Sequence, residues 1–182
     1  MIGRHECKQA QNTGLKEAIY IGLDEAFTAL EESVYDLTDV QAWAFPIPAR
    51  NNIAWIVMTT LQNFDEYANG LQAGKLTFEH EPRWDLWGCA PEERPKPGDP
   101  FPTVVEMLAL LNRIREAAMA NLATATEEDL HGKRAAPAWP RTAADGYMRT
   151  IHHALAHIRQ IWLLRGALGL TDGSSWPRQH WA

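Results

Sequence analysis

The sequence predicts an all-α protein, a four-helix bundle with a long crossover between its second and third helices. Three observations predict it. Four stretches of about 20 residues repeat apolar side chains at steps of three and four, no stretch alternates with period two, and six prolines crowd the one long connection. With 182 residues, 46% of them hydrophobic, the chain has the size of one domain and enough apolar material to enclose a core.

The first helix, about 14 to 36, is read from Leu15, Ile19, Leu23, Ala26, Leu30 and Val34, with Lys16, Glu17, Asp24, Glu25, Glu31 and Glu32 off that face. Pro46 and Pro48 impose an extended connection, after which Asn51 or Asn52 caps a second helix through Ile53, Trp55, Ile56, Leu61, Phe64, Tyr67 and Leu71, ending at Gly70 to Gly74. From about Ala73 to Pro102 the prolines forbid a long helix, while Trp84 and Trp87 argue for an ordered crossover. Thr103-Val-Val-Glu106 has capping-box form and opens a third helix through Val104, Leu108, Leu111, Ile114, Ala118 and Leu122. Thr126-Glu-Glu-Asp129 caps a short turn, and Thr142-Ala-Ala-Asp145 opens a fourth helix that runs to about Leu168, where Gly169 supplies a left-handed stop. The expected organisation is a loose arm over 1–13, the bundle over 14–170 and a tryptophan-containing tail over 171–182.

Composition narrows the function. Lys and Arg number 17 against 23 Asp and Glu, a net charge of -6, which argues against a nucleic-acid partner because phosphate-backbone binding needs dense positive charge. The longest unbroken apolar run, Ile53 to Met58, is far short of the ~18 residues that span a bilayer, so no membrane association is expected. Nothing near Met1 reads as a secretory signal, and the expectation is a cytoplasmic protein with Cys7 and Cys89 as free thiols. No phosphate loop, G-x-S-x-G elbow, C-x-x-C pair or paired Glu-x-x-His motif is present.

The chemistry-bearing feature is in the fourth helix. His153 and His157 stand four residues apart, so both rings leave one face, one turn from each other and within reach of a single divalent ion; Gln160 follows on that stripe and His152 points about 100° away. The same spacing also suits two rim histidines hydrogen-bonded to a neighbouring helix. A metal needs a third donor, and Thr59, Asn63 and Glu66 form a stripe on the second helix, with Asp65 displaced from it. Only Glu66 among the three is a strong anionic ligand. Glu79-His80-Glu81 in the crossover is a spare source of donors. Eight tryptophans, at 43, 55, 84, 87, 139, 162, 176 and 181, either pin loops to the bundle or line a ligand cavity.

Asn52-Ile-Ala-Trp55-Ile-Val-Met-Thr59, together with His153-x-x-x-His157-x-x-Gln160-Ile161 and Leu164-Arg165-x-x-Leu168-Gly169, resembles the DinB-like (YfiT-like) superfamily over roughly Leu15 to Leu170. The resemblance implies a four-helix bundle with a long link between helices two and three. It also implies a divalent metal, zinc or nickel, held by one histidine of helix two and the two of helix four, in a group that includes transferases and isomerases using small thiols. On this chain the helix-four ligands are His153 and His157, and the helix-two position is Thr59. The implied site is therefore completed by Glu66, by a loop donor or by water, or it holds no metal. Two functions follow: a divalent-metal-dependent transferase acting with a small thiol, or a non-enzymatic small-ligand-binding or stress-related bundle that has lost its metal. A homodimer is compatible with both.

Overall fold

The computed structural model describes residues 14–48, 51–74, 76–77, 98, 101–133 and 140–170. The expectations placed on the arm 1–13, the tail 171–182, Cys7, Cys89, Glu79-His80-Glu81, most of the crossover, and Trp84, Trp87, Trp139, Trp176 and Trp181 lie outside the described residues.

Four long helices carry the fold: α1 (Leu15–Glu32), α3 (Ile53–Phe64), α5 (Val104–Thr124) and α7 (Ala143–Ala167). Between them come the short α2 (Asp39–Trp43), a π-helical turn (Asp65–Gly70) that passes directly into α4 (Leu71–Ala73), and α6 (Glu127–His131). Among the described residues there is no strand; an isolated bridge joins Lys133 and Thr142. No helix among them is long and apolar enough to cross a membrane.

The helix starts are local chemistry. Thr103, Thr126 and Thr142 each accept from the backbone N–H three residues on, while Glu106, Asp129 and Asp145 reach back to the threonine N–H, which closes three capping boxes. Asn52 Oδ1 accepts from Trp55 N at 2.9 Å and its Nδ2 donates to Trp43 O at 3.1 Å, so one side chain both caps α3 and ties down the incoming loop. Such caps contribute about 1 kcal/mol each. At the far end of α7, Leu170 N donates to Arg165 O and Gly169 N to Gly166 O, with Gly169 at φ 71°, a Schellman stop at the glycine that the sequence marks.

Side-chain contacts set the directions. α1 and α7 are parallel, since Gly22 abuts Ile151 at one level and Ser33 meets Arg165 at the next. α1 and α5 are antiparallel: Lys16 Nζ donates to Ala123 O and Ala125 O, both at 2.7 Å, and Arg115 pairs with Asp24 and Glu31 further along. The π turn and α4, which continue α3, run against α7, with Gln72 Nε2 donating to Ala143 O at 3.4 Å and Gly146 facing Tyr67 O. It follows that α3 and α5 are parallel, which only a long connection permits. Phe27 and Phe64 stack across the diagonal with centroids 4.1 Å apart, in a core that includes Leu23, Leu30, Leu61, Met107, Leu111, Ile114 and Ile161.

Two helices differ from expectation. The first stops at Glu32 rather than near residue 36, because the Ser33 carbonyl accepts from Arg165 Nη1 at 3.2 Å and Asp36 takes a bidentate bond from the same guanidinium, at 2.7 and 2.8 Å. Past that turn, a Thr38/Gln41 capping box starts α2, where an extended connection is expected. The second helix widens into the π turn at Asp65, whose buried carboxylate accepts from Asn69 Nδ2 at 2.8 Å and from Thr77 N at 2.9 Å. Asn69 Oδ1 in turn accepts from Asn121 Nδ2 of α5 at 2.9 Å.

The Arg165 guanidinium is buried, stacks on Trp162 at 4.9 Å, and by its hydrogen bonds holds Asp36 below the usual carboxylate range, against an opposing cost of burial. A carboxylate with a depressed folded pKa contributes stability above its unfolded value, near 3.8, and loses that contribution as pH falls through the folded value. Asp36→Asn is accordingly expected to cost about 1–2 kcal/mol at pH 7, discounted because Asp36 is half-exposed. In urea unfolding, the gap from the native protein should shrink once pH drops below about 4.

Candidate functional site

α7 is amphipathic in an unusual way. Ile151, Ala154, Ile158 and Ile161 are buried in the bundle, while Gly146, Thr150, His153 and His157 recur at steps of four and three on the side that meets α3. The polar stripe is thus a property of the α3–α7 seam. His153 and His157 are both half-buried in it; His152, one residue off, is exposed.

The two rings stand edge to face, with centroids 4.4 Å apart and 73° between their planes. Their Nε2 atoms are 3.2 Å apart, and His157 Nδ1 lies 2.9 Å from Gln160 Oε1. With Gln160 Oε1 as the acceptor, His157 donates from Nδ1, and in that tautomer its Nε2 turns a lone pair towards His153. Burial keeps both rings neutral. It pushes the His153 pKa down to about 4, with the nearby His157 and Arg149 adding to the effect. His157 is lowered by burial too, partly offset by Gln160. A neutral imidazole with a free Nε2 is the form that binds a metal or takes up a proton.

Across the seam, α3 contributes Thr59 and Asn63, both nine-tenths buried. Glu66 is exposed. Asp65, displaced from the Thr59/Asn63 stripe, is the carboxylate that goes inside, four residues after buried Leu61 and at the start of the π turn. Asp65 is engaged with Asn69 and Thr77, and Glu66 is not brought to the histidine pair: among the described residues no three His, Cys, Asp or Glu side chains converge as a metal-binding group. Sequence reasoning also passed over Thr150, although its place three residues before His153 on the same stripe was readable. Asn63 Oδ1, Thr150 Oγ1 and His153 Nδ1 are buried without a hydrogen-bond partner, a condition that costs about 1–3 kcal/mol per group when left unmet.

Of the described tryptophans, Trp43 pins a loop, its Nε1 donating to Pro102 O at 2.9 Å. Trp55 is buried in the core and Trp162 lies under Arg165.

A bundle with two parallel central helices, a long link between them and a histidine pair on its last helix defines a class of small helical proteins. The chain belongs to the DinB superfamily, whose family model matches residues 23–161. It is also similar to the crystal structure of the conserved protein of locus from Enterococcus faecalis, with a TM-score of 0.59 and 19% identity, covering 86% of this chain and 98% of that one. At that identity the likeness carries the fold alone. No curated protein matches the chain.

The residues of the seam fit a divalent ion at two positions. Two imidazole nitrogens on one tetrahedral zinc, each 2.0–2.1 Å from it, stand roughly 3.3 Å apart, and the Nε2 atoms here are separated by 3.2 Å. Thr59 offers a hydroxyl, a poor zinc or nickel ligand, so a cation held here would have two strong protein donors.

The tautomer assignment is testable. Long-range ¹H–¹⁵N spectra of the histidine rings are expected to show His157 protonated at Nδ1, and Gln160→Leu is expected to move its two ring nitrogens towards a mixture of tautomers. Unchanged ring shifts would remove Gln160 as the orienting group.

Proposed function

We propose that this chain is a divalent-cation-assisted DinB protein whose two seam histidines form an open site for a small thiol, in a transferase-type reaction on a small electrophile. The observation that carries the reading is the 3.2 Å approach of two neutral Nε2 atoms, the separation two imidazoles adopt on one ion. His153 and His157 would hold zinc or nickel, which on binding supplies the positive charge that lowers the pKa of a thiol or water beside it.

The chain's own groups define the rest. Gln160 fixes the His157 ring so that its lone pair faces inward. Burial of both rings opposes their protonation, which would close the site to a cation. Thr59, one hydrogen-bonding hydroxyl on the facing helix, occupies little room and coordinates weakly. Its O–H and lone pairs would orient a thiol or a carbonyl oxygen bound beside the histidine pair.

A second reading rests on the same Thr59. A bundle with two histidines and no third strong ligand also suits a cation-free module in which the seam hydrogen-bonds a small polar molecule.

Metal titration separates the two. Dialysed, tag-free protein is expected to take up one zinc or nickel per chain by calorimetry and elemental analysis, and His153→Ala or His157→Ala should abolish uptake. Thr59→His, which supplies a third imidazole on the facing helix, is expected to tighten binding by at least roughly tenfold, the lower end of what supporting groups alone contribute at metal sites. Absence of uptake in the native protein would remove the cation-assisted mechanism and leave the second reading, for which quenching of tryptophan fluorescence by small thiols and carbonyl compounds is the readout.

A further inference from the structure

Asn63 Oδ1 of α3 and Thr150 Oγ1 and His153 Nδ1 of α7 are buried polar atoms without a hydrogen-bond partner. Gly146 faces Tyr67 and Ala143 faces Gln72 across antiparallel helices. Counting back along α3 and forward along α7 from that approach sets Asn63 opposite Thr150, and Thr59 and Thr60 opposite His153. Thr60 is already satisfied, its hydroxyl donating to Ile56 O at 2.7 Å. Asn63 is nine-tenths buried and Thr150 fully so, which leaves their polar atoms no bulk water to turn to.

These atoms are complementary. In the tautomer in which His157 donates from Nδ1 to Gln160 Oε1, its Nε2 bears a lone pair. With no cation present, the 3.2 Å contact between the Nε2 atoms calls for a proton between them, and that proton sits on His153 Nε2. His153 Nδ1 is then an acceptor, and the Thr150 hydroxyl, one turn earlier on the same helix, is an unused donor. For both Nε2 lone pairs to face one cation, the His153 proton must move to Nδ1. A buried Nδ1–H needs an acceptor, and the Asn63 carbonyl is an unused one.

We propose that Asn63 is the positioning residue of His153: its side-chain carbonyl receives His153 Nδ1–H, directly or through one bridging water, and selects the tautomer that opens Nε2 to the site. Thr150 supports the alternative, closed tautomer. The pair of histidines is thereby held from both ends, His157 by Gln160 on its own helix and His153 by Asn63 from the facing one. This rests on the reading of the pair as a cation site, and the test is arranged to separate the two claims.

Zinc affinity is measured by calorimetry, and the His153 ring nitrogens by long-range ¹H–¹⁵N spectra with and without zinc, for the native protein, Asn63→Leu, Asn63→Asp, Thr150→Val and Thr60→Val, each checked for fold by circular dichroism. Asn63→Leu is expected to weaken zinc binding by roughly tenfold or more and to move His153 towards the Nε2–H form. Asn63→Asp, which keeps an acceptor, should restore both, and Thr60→Val should change neither. Should Asn63→Leu not fold, Thr150→Val carries the test, with a shift of zinc-free His153 towards Nδ1–H expected. Unchanged zinc affinity and unchanged His153 shifts in a folded Asn63→Leu protein would overturn the assignment of Asn63. If the native protein takes up no zinc, the cation reading fails by itself. The zinc-free spectra then decide the positioning claim: a His153 shift in Asn63→Leu upholds it, and no shift overturns it.

Discussion

The structure depends on α3 having almost no face left for water. Eleven of its twelve residues are buried, because α5 and α7 flank it and α1 closes the diagonal through the stack of Phe27 on Phe64. Every polar group on that helix must therefore be answered from inside the protein. Thr60 bonds back to its own helix, and Asn52 spends one end of its amide on the cap and the other on the Trp43 carbonyl. Asp65 is drawn inward, and the backbone widens by a π turn around its bonds to Asn69 and Thr77. Asn63, Thr59 and the indole N–H of Trp55 remain. A helix that cannot release its polar side chains to solvent holds them where a ligand can use them.

The rotation of α7 about its own axis decides whether the histidines meet that seam. One residue corresponds to 100°, enough to carry a ring from α3 to bulk water, as His152 shows beside His153. Two features hold the rotation. Isoleucines 151, 158 and 161 and Ala154 are buried in the bundle, and Arg165 anchors the end of the helix to Ser33 and Asp36 while the Schellman turn stops it. The ion pair between Arg165 and Asp36 thus acts at a distance from the site: it fixes the angle from which His153 and His157 approach α3.

Much of this was legible in the residues. Helix identity followed from apolar spacing, and helix starts from Thr-x-x-Glu and Thr-x-x-Asp, because capping is a contact over three residues. Gly169 announced its left-handed turn by the same locality. His153, His157 and Gln160 share a stripe by helical arithmetic, and the structure half-buries the two rings while leaving Gln160 exposed. What the spacing missed were events with distant partners. Ser33 and Asp36 are claimed by Arg165, more than a hundred positions later, which ends α1 early. The Thr38/Gln41 box that starts α2 was local and readable, and it was overlooked behind Pro46 and Pro48. On the stripe Glu66 is the expected ligand and Asp65 lies off it; in the structure Asp65 is buried against Asn69 and Thr77 and Glu66 is exposed.

Sequence by itself determined the elements: which segments are helical, where most begin, that the second and third helices are joined by a long link, and that two imidazoles leave α7 on one side. Those are consequences of bonds and steric contacts within a few residues of each other. Only the tertiary structure decided that Thr59 and Asn63 are buried, that Glu66 is exposed, and that Asn63 Oδ1, Thr150 Oγ1 and His153 Nδ1 lack partners. Burial and hydrogen-bond satisfaction are properties of surfaces brought together from far apart in the chain, and no local rule counts them.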